Sequence, residues 1–258
     1  MVKDHHSPVV AIIPARYGST RFPGKILASI YGKSLIQRTY ENAKRCTLLS
    51  DILIATDDDR IYDHVISFGG KAVMTPTNCA TGSDRIAFVV DQSPELQKAS
   101  VIVNIQGDEP CIDPSVTTSI IKILQNDPNA VMSTAVVAIK SEEEAADPGN
   151  VKCILDLHGN VLYFSRALLP GSFCKTFRSN NTYYKHVGVY AYRPQFLLTY
   201  RNLPMTPLQQ AEDLEQLKVL EHGYKIKAAV VNSASVGVNT PEDIKKVEQE
   251  LCKQNSFS

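Results

Sequence analysis

The stretch PARYGSTRFPGK, residues 14–25, gathers Arg16, Arg21 and Lys25 with two glycines directly behind the apolar run VVAII. Cations crowded at the end of a buried strand suit an anion, and phosphate oxygens are well matched to guanidinium forks and ammonium groups. The spacing narrowly misses the phosphate loop G-x-x-x-x-G-K-[ST], because five residues separate Gly18 from Gly24 and Ile26 follows Lys25. Gly18 and Gly24 nevertheless permit close backbone approach to a ligand, which a merely solvated loop does not require.

A second stretch, QGDEP at 106–110, follows the run VIVNI and sets Asp108 beside Glu109. Alone, such a pair is more often a polar turn capping the next helix. Beside a cationic loop it reads as an anchor for a divalent ion bridging Asp108 to a phosphate oxygen.

Both loops must be carried to one edge by the elements behind them. The runs VVAII (9–13), DILIAT (51–56), KAVM (71–74), VIVNI (101–105) and VMSTAVVAI (131–139) predict strands. Between them SLIQRTYENAKRC, DRIYDHVISFG, SDRIAFVVDQ and SVTTSIIKILQ space apolar residues three or four apart and predict helices. The alternation predicts an α/β fold with a mainly parallel, helix-covered sheet, whose ligands sit beyond the carboxyl ends of strands where the strand order reverses. After Pro148 the rhythm changes: VKCILDLHGNVLYFSR predicts two strands around a turn at HGN, and HVGVYAY a third, so 148–192 reads as an antiparallel elaboration. PLQQAEDLEQLKVLEHG predicts one helix ending at Gly223, YKIKAAVV a last strand, and TPED a final helix capped by Thr240, with Pro241 at its first position and Asp243 completing the box.

The 258 residues can bury a sizeable core, and without a repeat or a Gly/Ser linker one domain with an insertion is favoured over two. Lys plus Arg and Asp plus Glu are 27 each, so no global field draws the chain to nucleic acid or membrane. Six cysteines without a C-x-x-C pair argue against zinc fingers and a disulfide framework, and suit reduced thiols in a cytoplasm. The N-terminal MVKDHHSP lacks an apolar signal core, and no run of about 18 apolar residues offers a membrane helix, so the expectation is a soluble, cytoplasmic, non-exported protein.

Eight blocks, in order over nearly the whole chain, resemble the 3-deoxy-manno-octulosonate (KDO) cytidylyltransferase family: PARYGSTRFPGK, ATD (55–57), TGSDR (81–85), VNIQGDEP, LYFSR (162–166), HVGVYAYR (186–193), LEQLKVLE (214–221) and TPED (240–243). The first block alone would also fit sialic acid cytidylyltransferases. The resemblance implies a three-layer α/β/α sandwich of the nucleotide-diphospho-sugar transferase type. It also implies transfer of CMP from CTP to the anomeric hydroxyl of KDO, with release of pyrophosphate, for lipopolysaccharide synthesis. A Mg²⁺ cofactor and a homodimer, with 148–192 serving sugar binding and dimerisation, are implied likewise.

By the same resemblance Arg16 and Lys25, joined by Arg21, clamp the triphosphate, and with Asp108 they form the catalytic set. Thr81, Ser83 and Arg85 hold the cytidine, Ser83 doubling as a helix N-cap. Gln106, Arg166, His186, Tyr192, Glu215 and Gln216 receive the sugar, Arg166 pairing with its carboxylate. Taken alone, His186 reads as a structural histidine, Glu215 as the solvated side of its helix, and Tyr190 and Tyr192, on one strand face, as core. Asp108 and Asn239 fall at the metal positions; the family pattern has Asp before TPED, so Asn239 removes one negative charge. The competing expectation is a non-catalytic nucleotide-binding protein of the same fold. A dehydrogenase is disfavoured because no G-x-G-x-x-G follows a strand.

Overall fold

The computed structural model describes residues 7–18, 22–173, 177–233 and 235–256, which leaves Arg21 outside the described residues. In chain order these form β1 (Val9–Ala15), β2 (Ser29–Ile30), β3 (Lys33–Ser34), α1 (Leu35–Ala43), β4 (Asp51–Thr56), α2 (Asp59–Ser67), β5 (Ala72–Met74), α3 (Gly82–Asp91) and α4 (Pro94–Gln97). There follow β6 (Val101–Ile105), α5 (Pro114–Asn126), β7 (Met132–Ala138), α6 (Glu142–Ala146), β8 (Lys152–Leu155), β9 (Val161–Ser165) and β10 (Tyr184–Tyr192). The last are α7 (Pro194–Asn202), α8 (Pro207–Glu212), α9 (Leu217–Glu221), β11 (Ile226–Val231) and α10 (Asp243–Ser256).

Successive side chains of a strand point to opposite faces, and β1 uses both. Val9, Ala11, Ile13 and Ala15 join one core with residues of α1, α2 and α5, while Val10 and Ile12 join another with residues of α3 and α7. Helices thus cover both faces of the sheet, the three-layer α/β/α arrangement expected from the sequence.

The strand order is β11-β7-β10-β6-β1-β4-β5, with β8 paired to β10 and β9 to β8. From β1 the chain steps outward to β4 and β5, then returns to the other side of β1 as β6, parallel to it with Val9 opposite Val101. The order reverses between β1 and β6, so the loops leaving these neighbours, 16–25 and 106–110, open at one carboxyl edge. Strand β10 runs antiparallel to β6 and β7, with an irregularity between Val187 and Tyr190, and its first residues pair with β8. This is the antiparallel elaboration, laid over the end of β6.

Three local expectations are corrected. The single helix expected over 207–223 is two, because Asp213 adopts φ 52° and ends α8. Carbonyls left open there are taken by Arg166, whose Nε donates to Glu212 O at 3.0 Å and Nη2 to Asp213 O at 3.4 Å. The cap of α3 is Thr81, not Ser83: its hydroxyl accepts from Asp84 N at 3.1 Å and the Asp84 carboxylate accepts from Thr81 N at 3.1 Å. At TPED the backbone first winds through bonds from Asp243 N to Thr240 O and from Ile244 N to Pro241 O, so α10 starts at Asp243 rather than Pro241. The Asp243 carboxylate still closes the box, accepting from Thr240 N at 3.0 Å.

Among the described residues the cysteines Cys46, Cys79, Cys111, Cys153 and Cys252 are free thiols, and no helix is long and apolar enough to cross a membrane.

Candidate functional site

At the β1–β6 edge lies a cleft of about 270 Å³ lined by Arg16, Lys25, Thr81, Arg85, Gln106, Asp108 and Asn239, among others. Its floor depends on close backbone approach: a Cβ on Gly107 would lie 3.0 Å from Pro14 O and 3.2 Å from Ile26 Cδ1. Gly107 is further fixed by its carbonyl, which accepts from Thr39 Oγ1 at 2.9 Å. The cationic loop turns through Gly24 at φ 70°, a backbone region costly for residues with a Cβ, and Gly24 N donates to Tyr17 O at 3.1 Å. The two loops singled out in the sequence therefore meet.

Their meeting point is an ion pair between Lys25 Nζ and Asp108 Oδ2, with Lys25 Nζ also donating to Val238 O at 3.0 Å. Val238 N in turn donates to Asp108 O at 2.9 Å, which holds the segment before Asn239 against the QGDEP loop. Arg16 stands exposed at the cleft wall.

The opposite wall is the amino end of α3, where the helix dipole favours negative charge and Ser83 N already donates to Glu215 Oε2 at 3.5 Å. Thr81 and Gly82 line it. Arg85 is 3% exposed and lines the cleft with its guanidinium held by Asp57 Oδ2 at 2.8 Å and by Thr75 Oγ1. Ser83 lies behind this wall, fully buried, sharing a hydrogen bond of 2.9 Å with Tyr192 Oη and donating to Glu215 Oε1 at 3.0 Å.

Through Gly82 and Gln106 the cleft adjoins a second hollow of about 290 Å³, lined also by His186, Gly188, Tyr190, Glu215 and Gln216. Burial pushes His186 down to about 3, so its ring is neutral, with Nε2 on Thr134 Oγ1 at 2.9 Å. Burial pushes the Glu215 carboxyl up, while hydroxyls of Thr81 and Ser83 pull it back. Tyr190 Oη donates to Gln216 Oε1 at 3.4 Å. The break at Asp213 is what turns Glu215 and Gln216 toward this space.

Of the six residues expected to receive the sugar, Gln106, His186, Glu215 and Gln216 share this hollow, and Tyr192 and Arg166 do not line it. Tyr192 is buried against Ser83, and its strand neighbour Tyr190 takes the lining position. Arg166 is occupied by the carbonyls of Glu212, Asp213 and Pro148. Sequence reasoning missed Tyr190 and the part of Glu109; the signals were present, a tyrosine at i−2 on the same strand face and the second carboxylate of the D-E pair.

Glu109 lines a third hollow of about 280 Å³ with Lys185, His186, Ser235 and Asn239. Among the described residues its Oε2 is buried without a hydrogen-bond partner, and burial, opposed by Ser235 and reinforced by the Asp108 charge, pushes the carboxyl up to about 7. Asn239 lies where the first and third hollows join.

Magnesium fits the donor set. The Lys25 ammonium marks a cation position bounded by Asp108 Oδ2 and Val238 O, all oxygen, in the cleft that Asn239 also lines. Among the described residues no cluster of three or more His, Cys, Asp or Glu side chains has metal-holding geometry, so an ion here would need substrate oxygens and water to complete its shell.

A cytidylyltransferase family model matches residues 10–226. The chain is 57% identical over 249 residues to a 3-deoxy-manno-octulosonate cytidylyltransferase of Protochlamydia amoebophila, with 96% of each chain covered. It is 48% identical over 246 residues to the enzyme of that name from Chlamydia trachomatis serovar A, covering 95% of this chain and 94% of the relative. A solved structure of CMP:2-keto-3-deoxy-manno-octonic acid synthetase complexed with CTP matches with a TM-score of 0.88 at 38% identity, covering 96% of this chain and 100% of that one.

Proposed function

Because the chain belongs to the cytidylyltransferase family, and within it to the 3-deoxy-manno-octulosonate cytidylyltransferases, we infer that it transfers CMP from CTP to the anomeric hydroxyl of KDO and releases pyrophosphate. The observation that carries the reading is a pair of adjoining hollows that share Gly82 and Gln106, with Lys25, Arg16 and Asp108 lining the donor side and His186, Tyr190, Glu215 and Gln216 the acceptor side.

In this reading Arg16 and Lys25 hold the triphosphate, and Thr81 and Arg85 border the cytidine. The acceptor lies against Gln106, Tyr190, Glu215 and Gln216, so that its anomeric oxygen faces the α-phosphorus. The oxygen–phosphorus bond forms in line as the bond to the bridging β-phosphate oxygen breaks, and the hydroxyl proton leaves to solvent. Neutral His186 serves as a hydrogen-bonding wall and not as the base, since its proton affinity is far below that of a group poised near neutrality. Asp108, with the Asn239 side-chain oxygen, would hold magnesium. When bound, the ion neutralises phosphate charge and acidifies the anomeric hydroxyl.

We further infer a cytoplasmic homodimer acting in lipopolysaccharide synthesis. Exposed Leu157 and Leu162 on the β8–β9 hairpin and Val230 on β11, with the bridge between Asn160 and Lys227 linking the two segments, support an apolar pairing face.

Pyrophosphate release from CTP tests the activity. Release that requires both KDO and Mg²⁺ is expected. CTP binding with no release under any combination would favour the nucleotide-binding protein instead.

A further inference from the structure

The ammonium of Lys25 occupies a place that its surroundings suit to a metal. Its acceptors are a carboxylate oxygen of Asp108 and the carbonyl oxygen of Val238, and these two residues are clamped to one another by the Val238 N to Asp108 O bond of 2.9 Å. The side chains of Lys25 and Asp108 are only 14% and 28% exposed, so water screens the pair weakly. The cation trap is therefore assembled from the protein's own groups.

A divalent ion on Asp108 Oδ2 and the Lys25 ammonium on the same oxygen would stand roughly 3–4 Å apart, where like charges in a part-buried cleft repel strongly. Occupancy of this oxygen by one disfavours the other. Lys25 also lines the cleft in which the triphosphate is held, and its long flexible stem lets the ammonium move from carboxylate to phosphate without moving the backbone. Phosphate oxygens offer the ammonium several acceptors in exchange for one carboxylate oxygen.

We propose that Lys25 is a resident counter-cation that closes the metal position on Asp108 until a nucleoside triphosphate draws the ammonium onto its phosphates. Free divalent metal is excluded from the resting protein, and metal enters with or after the nucleotide. The nucleotide's identity rests on the cytidylyltransferase reading; the exclusion of metal by Lys25 is a property of the nucleotide-free protein, tested without CTP, so a failure to release pyrophosphate would leave it untouched. Linkage makes the coupling reciprocal: a ligand that removes Lys25 from Asp108 raises metal affinity, and metal raises the affinity of that ligand.

The test is Mn²⁺ binding to nucleotide-free protein, read from the electron paramagnetic resonance signal of free Mn²⁺. Lys25→Met should bind Mn²⁺ at least about tenfold more tightly than wild type. Arg16→Met removes a cation from the same cleft that does not touch Asp108, and should change affinity less than about threefold. Equal or weaker binding by Lys25→Met, or an equal gain in Arg16→Met, overturns the proposal. Wild-type protein gives an independent reading that does not depend on the variants folding. Saturating Mn²⁺ should speed reductive methylation of the Lys25 amine, followed by mass spectrometry, and an unchanged rate overturns the proposal as well.

Discussion

The guanidinium of Arg60 lies 3.4 Å from the centre of the Tyr17 ring. Asp58, the N-cap of α2, fixes it, accepting from Nε at 2.9 Å and Nη2 at 2.6 Å. Tyr17 in turn accepts from Gly24 N, and a Cβ on Gly24 would lie 3.1 Å from Tyr17 Oη. The cationic loop is thus braced from behind by α2. Because an exposed cation–π contact is worth about 0.5–1 kcal/mol, Arg60→Ala should raise KM for CTP roughly two- to fivefold and leave KM for KDO unchanged. Steady-state kinetics with each substrate varied decides it, and an unaltered KM for CTP would detach the brace from nucleotide binding.

The paired tyrosines of β10 should separate cleanly. Tyr192→Phe removes the hydrogen bond to buried Ser83 and should lower stability by about 1 kcal/mol with little effect on KM for KDO. Tyr190→Phe should do the reverse, raising KM for KDO while changing the urea midpoint little. Matching kinetic losses in both variants would contradict their assignment to different layers.

Asn239→Asp restores a carboxylate at the junction of the first and third hollows. A stronger oxygen ligand should lower the half-saturating Mg²⁺ a few-fold to about tenfold at saturating CTP. If Asn239 serves only the turn before α10, where its N–H donates to Asp243 Oδ2 at 3.0 Å, the midpoint in Mg²⁺ titrations of initial rate stays where it was.

Glu109 makes stability fall with rising pH. Its carboxyl moves from an ordinary 4.5 to about 7, so between these values the folded protein keeps a proton that the unfolded chain has released. That contribution is complete at acid pH and lost as pH climbs through 7. Glu109→Gln is neutral throughout, and its stability relative to wild type should grow by roughly 2–4 kcal/mol between pH 4.5 and 8, since one unit is worth about 1.4 kcal/mol. Urea unfolding in EDTA at the two pH values reads the difference, and a gap that does not change with pH would contradict the buried, proton-retaining carboxyl.

The donor end was legible because it follows from topology. Once VVAII and VIVNI are parallel neighbours, the loops bearing Lys25 and Asp108 must share an edge, whatever the loops contain. The acceptor end was less so. Tyr190 and Tyr192 show the same face to any periodicity argument, and only depth distinguishes them: Tyr192 pairs opposite Ile102 inside the sheet, Tyr190 opposite Asn104 toward its edge. Thr81 and Ser83 are both competent caps, and the choice falls to Thr81 because Asp84 stands three residues on. The break at Asp213 left no local mark, since QQAEDLEQLKVL is good helix-forming sequence and the carbonyls opened there are satisfied by Arg166, distant in the chain.

That dependence on Arg166 bears on how such a protein diversifies. Glu215 and Gln216 hang from a joint whose geometry is set by Arg166, the residue that follows β9, and whose own residues would rather continue a helix. The donor end is built on β1, β6 and α3 and shares no strand with that joint. Drift in the hairpin therefore acts first on the acceptor wall and reaches α3 only through the Glu215 to Ser83 contact, so changes of sugar preference along a lineage should begin as substitutions around residues 148–166 and 207–216, ahead of any change in the segments 14–25 and 106–110.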